Sequence, residues 1–192
     1  MRYANRSAMQ LEPLPTEHAL PPPDPARRYL LYVHVPFCPA LCPFCSFHRV
    51  LLRDDKARRY FAALRTQLQQ YAEAGFRVGS VYVGGGTPTA VPDELEHTLE
   101  LINGLFGRQP ISVETNPSDL TPAVTGMLRS AGVDRLSVGV QSFDDGLLRA
   151  MGRYEKYGSA AAISQQLAAV ADTFPTVNID MIFNLPGQTR SM

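Results

Sequence analysis

Three cysteines, Cys38, Cys42 and Cys45, stand four and three residues apart and are the only cysteines of the sequence. An odd number of cysteines cannot pair off completely, so a disulfide scaffold is not expected and metal ligation is the leading use. Three thiolates can hold three irons of a cubane cluster and leave the fourth iron open to a small molecule. The alternative is a zinc site in which His34 or His48 completes a tetrahedron of three cysteines and one histidine.

A run of three glycines, Gly84-Gly85-Gly86, is followed by Thr87 and Pro88. Residues without side chains let a ligand approach the backbone and leave amide donors exposed to it. The alternative is a tight turn with no ligand. The run lacks the lysine of a nucleoside-triphosphate loop and the spaced glycines of a dinucleotide fingerprint, so neither phosphate motif is predicted.

Three polar residues, Glu114, Gln141 and Asp180, stand near the ends of three predicted strands. Carboxylates and amides that converge on one cavity suit a ligand with hydroxyl and ammonium groups, such as a ribose joined to an amino acid moiety. The alternative is a buried polar network that satisfies itself, or an ion pair between Asp180 and Arg153. Their shared position with the cysteines favours the ligand site.

The elements that position these residues alternate between strand and helix. Apolar, β-branched or aromatic runs predict five strands, at 29–36, 80–84, 111–115, 135–141 and 177–184. Apolar residues at helical spacing predict helices through 60–71 with a stop at Gly75, from Pro92 to Phe106, from Thr121 to Gly132 and over about 159–173. Parallel strands joined by helical crossovers bring all their carboxyl ends to one edge, where the chemistry is expected.

Alternate residues of the predicted strands separate into an apolar set and a polar set. The apolar set, which includes Val33, Val83, Val113, Val138 and Ile179, is expected to face the helices. The polar set includes the three strand-end residues above. A closed eight-stranded barrel fills its interior with branched apolar side chains, so the polar set instead predicts a curved, partial barrel around a polar, occupied cavity.

Composition places these elements in one globular domain. The 192 residues are 45% hydrophobic and 19% charged, which excludes a disordered or fibrous chain. Lysine and arginine total 18 and so do aspartate and glutamate, so no nucleic-acid partner is expected. The sequence shows neither a secretory signal nor an apolar run long enough to span a membrane, and a cytoplasmic location is expected. Clustered prolines predict an extended arm at residues 1–28, ahead of the core at 29–192.

Five motifs in order resemble the radical S-adenosylmethionine (SAM) superfamily, in particular its group of oxygen-independent coproporphyrinogen III oxidases and haem chaperones. The motifs are YVHVPFCPALCPFC at 32–45, GGGTPT at 84–89, VETNP at 113–117, SVGVQSF at 137–143 and NIDMIFNLPGQT at 178–189. The resemblance implies an α/β fold, a partial (β/α)6-type barrel that here ends after its fifth strand. A missing closing strand would leave an unpaired edge, so instability or association is expected.

The resemblance also implies the cofactors and their ligands. Cys38, Cys42 and Cys45 match the ligands of a [4Fe-4S] cluster, whose open iron takes the amino and carboxylate groups of SAM. Reductive cleavage of SAM then gives methionine and a 5′-deoxyadenosyl radical, which abstracts hydrogen from the substrate. The positions that match SAM contacts are Tyr32, Phe44, Gly85, Gly86, Thr87, Glu114, Gln141, Arg153 and Asp180. The implied partners are a tetrapyrrole or haem and an electron donor of the reductase or flavodoxin type.

Two departures from the group's pattern bear on function. The oxidases carry a further cysteine shortly after the third ligand, whereas Ser46 and Phe47 follow Cys45 here. This difference counts against coproporphyrinogen decarboxylation and keeps a haem chaperone with little turnover as an alternative. Asn184 stands where the group usually has glycine before Leu-Pro. A zinc-stabilised binding domain is the third alternative.

Overall fold

The computed structural model describes residues 22–189, which form an α/β domain around one parallel sheet. The sheet contains β1 (Tyr29–Val35), β4 (Val78–Gly85), β5 (Ile111–Thr115), β6 (Arg135–Gln141) and β7 (Thr176–Met181), in that order. All four neighbouring pairs are parallel. A separate two-residue ladder pairs β2 (Phe37–Cys38) with β3 (Val50–Leu51). The predicted parallel α/β fold is therefore confirmed.

Six α-helices connect the strands within the described residues. They are α1 (Asp54–Glu73), α2 (Pro92–Phe106), α3 (Pro122–Ser130), α4 (Asp145–Ala150), α5 (Tyr154–Tyr157) and α6 (Ala160–Val170). Gly75, at a φ of 88°, follows the end of α1 as predicted, because glycine adopts this left-handed conformation without steric cost. The hydroxyl of Thr121 accepts a hydrogen bond from the Val124 amide and caps α3.

The predicted division of the strands into two faces holds for the first four strands of the sheet. Most of their apolar residues are buried and pack against the helices: Val33, Val83, Val113 and Val138 are at most 1% exposed, whereas Leu31 is half-buried. The opposite face carries Tyr82, Glu114 and other polar side chains toward the cavity described below. Burial of the apolar residues is therefore what fixes the polar residues on the other side.

The last strand differs from its prediction in two ways. It ends at Met181 and not at 184, because the pairing with β6 shifts register between Gly139 and Gln141 and stops there. Its apolar side is also open: Ile179, Met181 and Phe183 are 39%, 47% and 85% exposed. β7 is an edge strand in the described part of the chain, and these side chains are exposed there.

Two short helices and one short ladder were not predicted. Helices α4 and α5 have six and four residues, too short to show a helical period in the sequence. The β2–β3 ladder has two residues a strand. Of the predicted N-terminal arm, residues 1–21 lie outside the described part, and residues 22–28 contain no helix or strand.

Candidate functional site

A cavity of about 480 Å³ opens at the carboxyl ends of the sheet strands. Eleven of the twelve sequence-predicted site residues line it: Cys38, Cys42, Phe44, Cys45, Gly85, Gly86, Thr87, Glu114, Gln141, Arg153 and Asp180. They come from six separate segments of the chain. The cysteine loop, the glycine run and the strand-end polar residues therefore meet at one place, as the parallel topology predicts.

The loop that carries the cysteines is closed by backbone pairing and by one arginine. The Val50 and Leu52 amides donate to the carbonyls of Pro36 and Cys38, both at 2.8 Å, and hold the two ends of the loop together. Arg49 Nη2 donates to the carbonyl oxygens of Cys42 and Cys45. These bonds fix the path of the backbone around the cavity.

Hydrogen-bond donors face two of the three sulfurs. Thr87 Oγ1 lies 3.6 Å from Cys38 Sγ, and Arg153 Nη1 lies 3.7 Å from Cys42 Sγ. Burial raises the pKa of the Cys38 thiol, and the Thr87 hydrogen bond and the charge of Arg49 partly oppose that rise. Donors and positive charge around sulfur stabilise thiolates and thiolate-bound metal clusters. All three cysteines are free thiols.

One hydrogen-bonded chain joins these two donors through Asn116. Arg153 Nη2 donates to Asn116 Oδ1 at 3.2 Å and to the Gly139 carbonyl, and Asn116 Nδ2 donates to Thr87 Oγ1 at 3.0 Å. The Arg153 guanidinium is 3% exposed and stacks over the Tyr157 ring, 4.3 Å from Cζ to the ring centroid. Because each member restrains the next, the two sulfur donors are held as one unit.

The zinc alternative needs four donors at one point, one of them a histidine. A tetrahedral zinc site places its sulfurs about 3.8 Å apart, given a Zn–S distance of about 2.3 Å. Among residues 22–189, no group of three His, Cys, Asp or Glu side chains is gathered closely enough to hold a metal ion. His34 is also engaged at both ring nitrogens, with the Tyr32 hydroxyl and the His48 carbonyl. The three cysteines line one cavity, as a cluster bound by three thiolates requires.

The glycine run lines the cavity, but its amides are used inside the protein. The amides of Gly85, Gly86 and Thr87 donate to Glu114 Oε2, the Val35 carbonyl and the Phe37 carbonyl, at 3.0, 2.7 and 2.8 Å. The prediction that these three amides are exposed donors for a ligand is therefore wrong. A Cβ at Gly86 would lie 2.7 Å from the Phe37 carbonyl oxygen, so this glycine is needed for close packing of β4 against β2.

Glu114 is held at both carboxylate oxygens. Its Oε1 accepts a hydrogen bond from Tyr82 at 2.6 Å, while Oε2 accepts from the Gly85 amide. Burial, then the hydrogen bond to Glu114, raises the pKa of Tyr82 to about 12, so this phenol stays protonated and donates. The carboxylate is thereby oriented at the cavity wall with lone pairs left to accept from hydroxyl or ammonium groups.

Asp180 lies in a small polar cluster on the neighbouring strands. Its Oδ1 accepts from Asn178 Nδ2 at 2.7 Å, and the Ser137 hydroxyl lies 3.2 Å from both carboxylate oxygens. The ion pair with Arg153 considered from the sequence is not among the ion pairs of the described residues. These hydrogen bonds orient the Asp180 carboxylate, which also lines the cavity.

Gln141 and Tyr32 complete the predicted set. Gln141 has a φ of 78°, unusual for a residue with a side chain, and its carbonyl accepts from the Ile182 amide where β7 ends. Tyr32 is 52% exposed and lies outside the cavity lining. Its ring stacks on Tyr82 at a centroid distance of 6.0 Å, so Tyr32 adjoins the site through that neighbour.

Sequence reasoning missed several residues of the site. Tyr82 and Asn116 could have been found, because Tyr82 is on the polar side of its strand and Asn116 belongs to the VETNP motif beside Glu114. Arg49 and Tyr157 carry no such local signal, since only the tertiary fold brings them to the cavity. Burial raises the pKa of Tyr157 to about 12.

The site thus joins a parallel sheet, a three-cysteine loop and a polar cavity at the carboxyl edge of the sheet. The family described as the radical SAM superfamily matches residues 32–192, and the chain belongs to it. This membership confirms the resemblance seen in the five motifs.

Relatives lie in both branches of the group named from the sequence. The chain is 33% identical over 165 residues to the heme chaperone HemW of Bacillus subtilis, covering 82% of the chain and 43% of that protein. It is 36% identical over 169 residues to the oxygen-independent coproporphyrinogen III oxidase of Bradyrhizobium diazoefficiens, covering 83% and 37%. The chain thus spans about two fifths of the length of these relatives.

Solved structures agree with the fold. The coproporphyrinogen III oxidase HemN from Escherichia coli, a radical SAM enzyme, superposes with a TM-score of 0.76 at 33% identity, over 86% of this chain and 39% of that one. The radical SAM methyltransferase TsrM from Kitasatospora setae superposes at 0.61 with 17% identity, over 83% and 32%, a likeness of fold alone. No helix within residues 22–189 is both long and apolar enough to cross a membrane.

Proposed function

We propose that Cys38, Cys42 and Cys45 bind a [4Fe-4S] cluster and that the adjoining cavity binds SAM. The observation that carries this proposal is the meeting of three thiols with Glu114 and Asp180 around one cavity. Membership of the radical SAM superfamily supports the same assignment.

When bound, the reduced cluster supplies the electron that cleaves SAM to methionine and a 5′-deoxyadenosyl radical. The protein's own residues bind and orient the cluster and SAM. Glu114, held by Tyr82 and the Gly85 amide, accepts from ligand hydroxyl groups, and Asp180 offers a second carboxylate to a hydroxyl or ammonium group. Thr87 and Arg153 donate to the sulfurs of Cys38 and Cys42. Phe44 and Tyr157 add apolar surface to the wall of the cavity.

The substrate class we propose is a tetrapyrrole, because the chain resembles both HemW and coproporphyrinogen III oxidases. A haem chaperone with little turnover is the second candidate. It is favoured by Ser46 and Phe47, which follow Cys45 in the cavity lining, whereas the oxidases carry a further cysteine shortly after the third ligand. The radical enzyme would require an external electron donor of the reductase or flavodoxin type, and a cytoplasmic location suits both functions.

The first experiment is anaerobic reconstitution of the full chain with iron and sulfide, followed by electron paramagnetic resonance (EPR) of the dithionite-reduced protein with and without SAM. We expect a [4Fe-4S] signal that changes when SAM is added. A cluster signal that ignores SAM, or zinc uptake without a cluster, would contradict the proposal.

Glu114→Gln tests the cavity, with Glu100→Gln on the exposed side of α2 as the matched control. Hydrogen bonds to charged groups contribute about 1.5–3 kcal/mol, so loss of one raises the dissociation constant for SAM about tenfold or more. Equilibrium dialysis of both reconstituted variants measures that constant. Equal affinities in the two variants would remove Glu114 from the binding site.

A third measurement separates the two candidate functions. Formation of 5′-deoxyadenosine that depends on added coproporphyrinogen III supports the enzyme. Haem that stays with the protein through gel filtration, without substrate-dependent 5′-deoxyadenosine, supports the chaperone.

A further inference from the structure

Two cationic side chains converge on the sulfur of Cys42. Arg153 Nη1 lies 3.7 Å from Cys42 Sγ, and Lys156 Nζ lies 3.9 Å from the same atom. Lys156 was not singled out by the sequence motifs, and it reaches the sulfur from α5, 114 residues further along the chain. Cys38 and Cys45 have no lysine at this distance among the described contacts.

Neither cation is neutralised by a carboxylate. The ion pairs of the described residues involve Arg27, Arg53, Arg58, Arg59 and Arg65, and none includes Arg153 or Lys156. A buried guanidinium such as that of Arg153, 3% exposed, is costly unless negative charge faces it. The Cys42 sulfur, 3.7 Å from Arg153 Nη1, can carry this charge as a thiolate.

The backbone around Lys156 is packed onto the cysteine loop. A Cβ on Gly152 would lie 3.9 Å from Pro43 Cδ, so the segment before α5 contacts the residue next to Cys42. The Lys156 and Tyr157 amides both donate to the Arg153 carbonyl, at 3.1 and 2.9 Å, and close the turn that carries the lysine. The position of the ammonium group therefore follows from the fold of this segment.

We propose that Lys156, acting with Arg153, raises the reduction potential of the cluster bound at Cys42. The inference rests on the proposed function. One-electron reduction adds one negative charge to the cluster and its thiolates, and a cation close to the ligating sulfur stabilises this reduced state more than the oxidised state. Net charge and hydrogen bonds to sulfur are among the terms that set the potential of iron–sulfur clusters. Lys156 is thus an electrostatic positioning residue that acts through Cys42.

The test is a redox titration of the reconstituted full chain, with dithionite as reductant and the EPR signal of the reduced cluster as readout. Lys156→Met removes the charge and keeps a long, unbranched side chain. Lys56→Met is the matched control, because Lys56 is the other lysine of the sequence and is exposed near the start of α1. Lys156→Arg keeps the charge.

We expect the midpoint potential of Lys156→Met to be more negative than that of Lys56→Met. Because Lys156→Arg keeps the charge, we expect its midpoint potential to lie close to that of wild type. Equal midpoint potentials in Lys156→Met and Lys56→Met, with a full cluster in both, would overturn this inference alone. A wild-type chain that assembles no cluster would overturn the proposed function as well.

A second neutral variant, Lys156→Gln, covers the case in which Lys156→Met loads poorly. If both neutral variants lose the cluster while Lys156→Arg keeps it, the charge serves assembly and the proposal about potential is wrong. If Lys156→Gln loads fully, its midpoint potential is expected to shift in the same direction as that of Lys156→Met.

Discussion

Substitution of Gly86 by alanine tests whether the glycine run serves packing. The added Cβ would lie 2.7 Å from the Phe37 carbonyl oxygen and 2.8 Å from the carbonyl carbon and oxygen of Pro36. All three are backbone atoms, so no side-chain rotation relieves the contact. The strand connection must move, and with it the Gly86–Val35 and Thr87–Phe37 hydrogen bonds.

The expected cost follows from these contacts. Overpacking costs about 1–3 kcal/mol, and each of two weakened backbone hydrogen bonds adds about 0.5–1.5 kcal/mol. We therefore expect Gly86→Ala to lower the free energy of unfolding by about 3 kcal/mol, which lowers Tm by about 6–12 °C in a chain of this size. Cluster loading should also fall, because Phe37 directly precedes Cys38.

Gly126→Ala is the matched control. Gly126 is exposed inside α3, and a Cβ there meets nothing within 4 Å. Replacing glycine by alanine inside a helix raises the free energy of unfolding by about 1 kcal/mol, so Tm should rise by about 2–4 °C. Urea unfolding of both variants without cofactor, followed by far-ultraviolet circular dichroism, measures the two changes. A Gly86→Ala chain as stable as wild type would refute the packing argument and favour a role of the glycine run in ligand binding.

Three further changes test other parts of the site. Cys42→Ser should abolish cluster assembly, measured as iron and sulfide per chain after reconstitution; a full cluster in this variant would contradict the ligand assignment. Arg49→Met removes the bonds to the carbonyls of Cys42 and Cys45, so iron release to a chelator should be faster than in wild type, and an unchanged rate would mean that the loop holds its shape without the arginine. The pKa of Tyr82 is raised from 10.0 to about 12, so its protonated form stabilises the fold below pH 10 and this contribution is lost as pH rises through 12. Tyr82→Phe should therefore have a lower free energy of unfolding than wild type at neutral pH. Between pH 10 and 12 that free energy, measured by urea unfolding, should fall less in the variant than in wild type. Equal pH dependence in the two proteins would count against the hydrogen bond to Glu114.

The sequence by itself determined the parallel α/β fold and half of the residues that line the cavity. Strand parity separates buried residues such as Val113 from cavity residues such as Glu114, because a strand turns successive side chains to opposite faces. Parallel crossovers then bring the strand ends and the cysteine loop to one edge, which is why the predicted residues meet there.

Only the tertiary structure decided what the site residues contact. The amides of the glycine run donate to Glu114 and to neighbouring carbonyls, and the apolar side of β7 is exposed although the strand pattern predicts that it faces the helices. Lys156 reaches the Cys42 sulfur from a four-residue helix that has no period to read. The physical reason is common to these cases: periodicity reports which side of an element is buried, whereas hydrogen bonds and charge contacts between distant segments depend on how the elements pack.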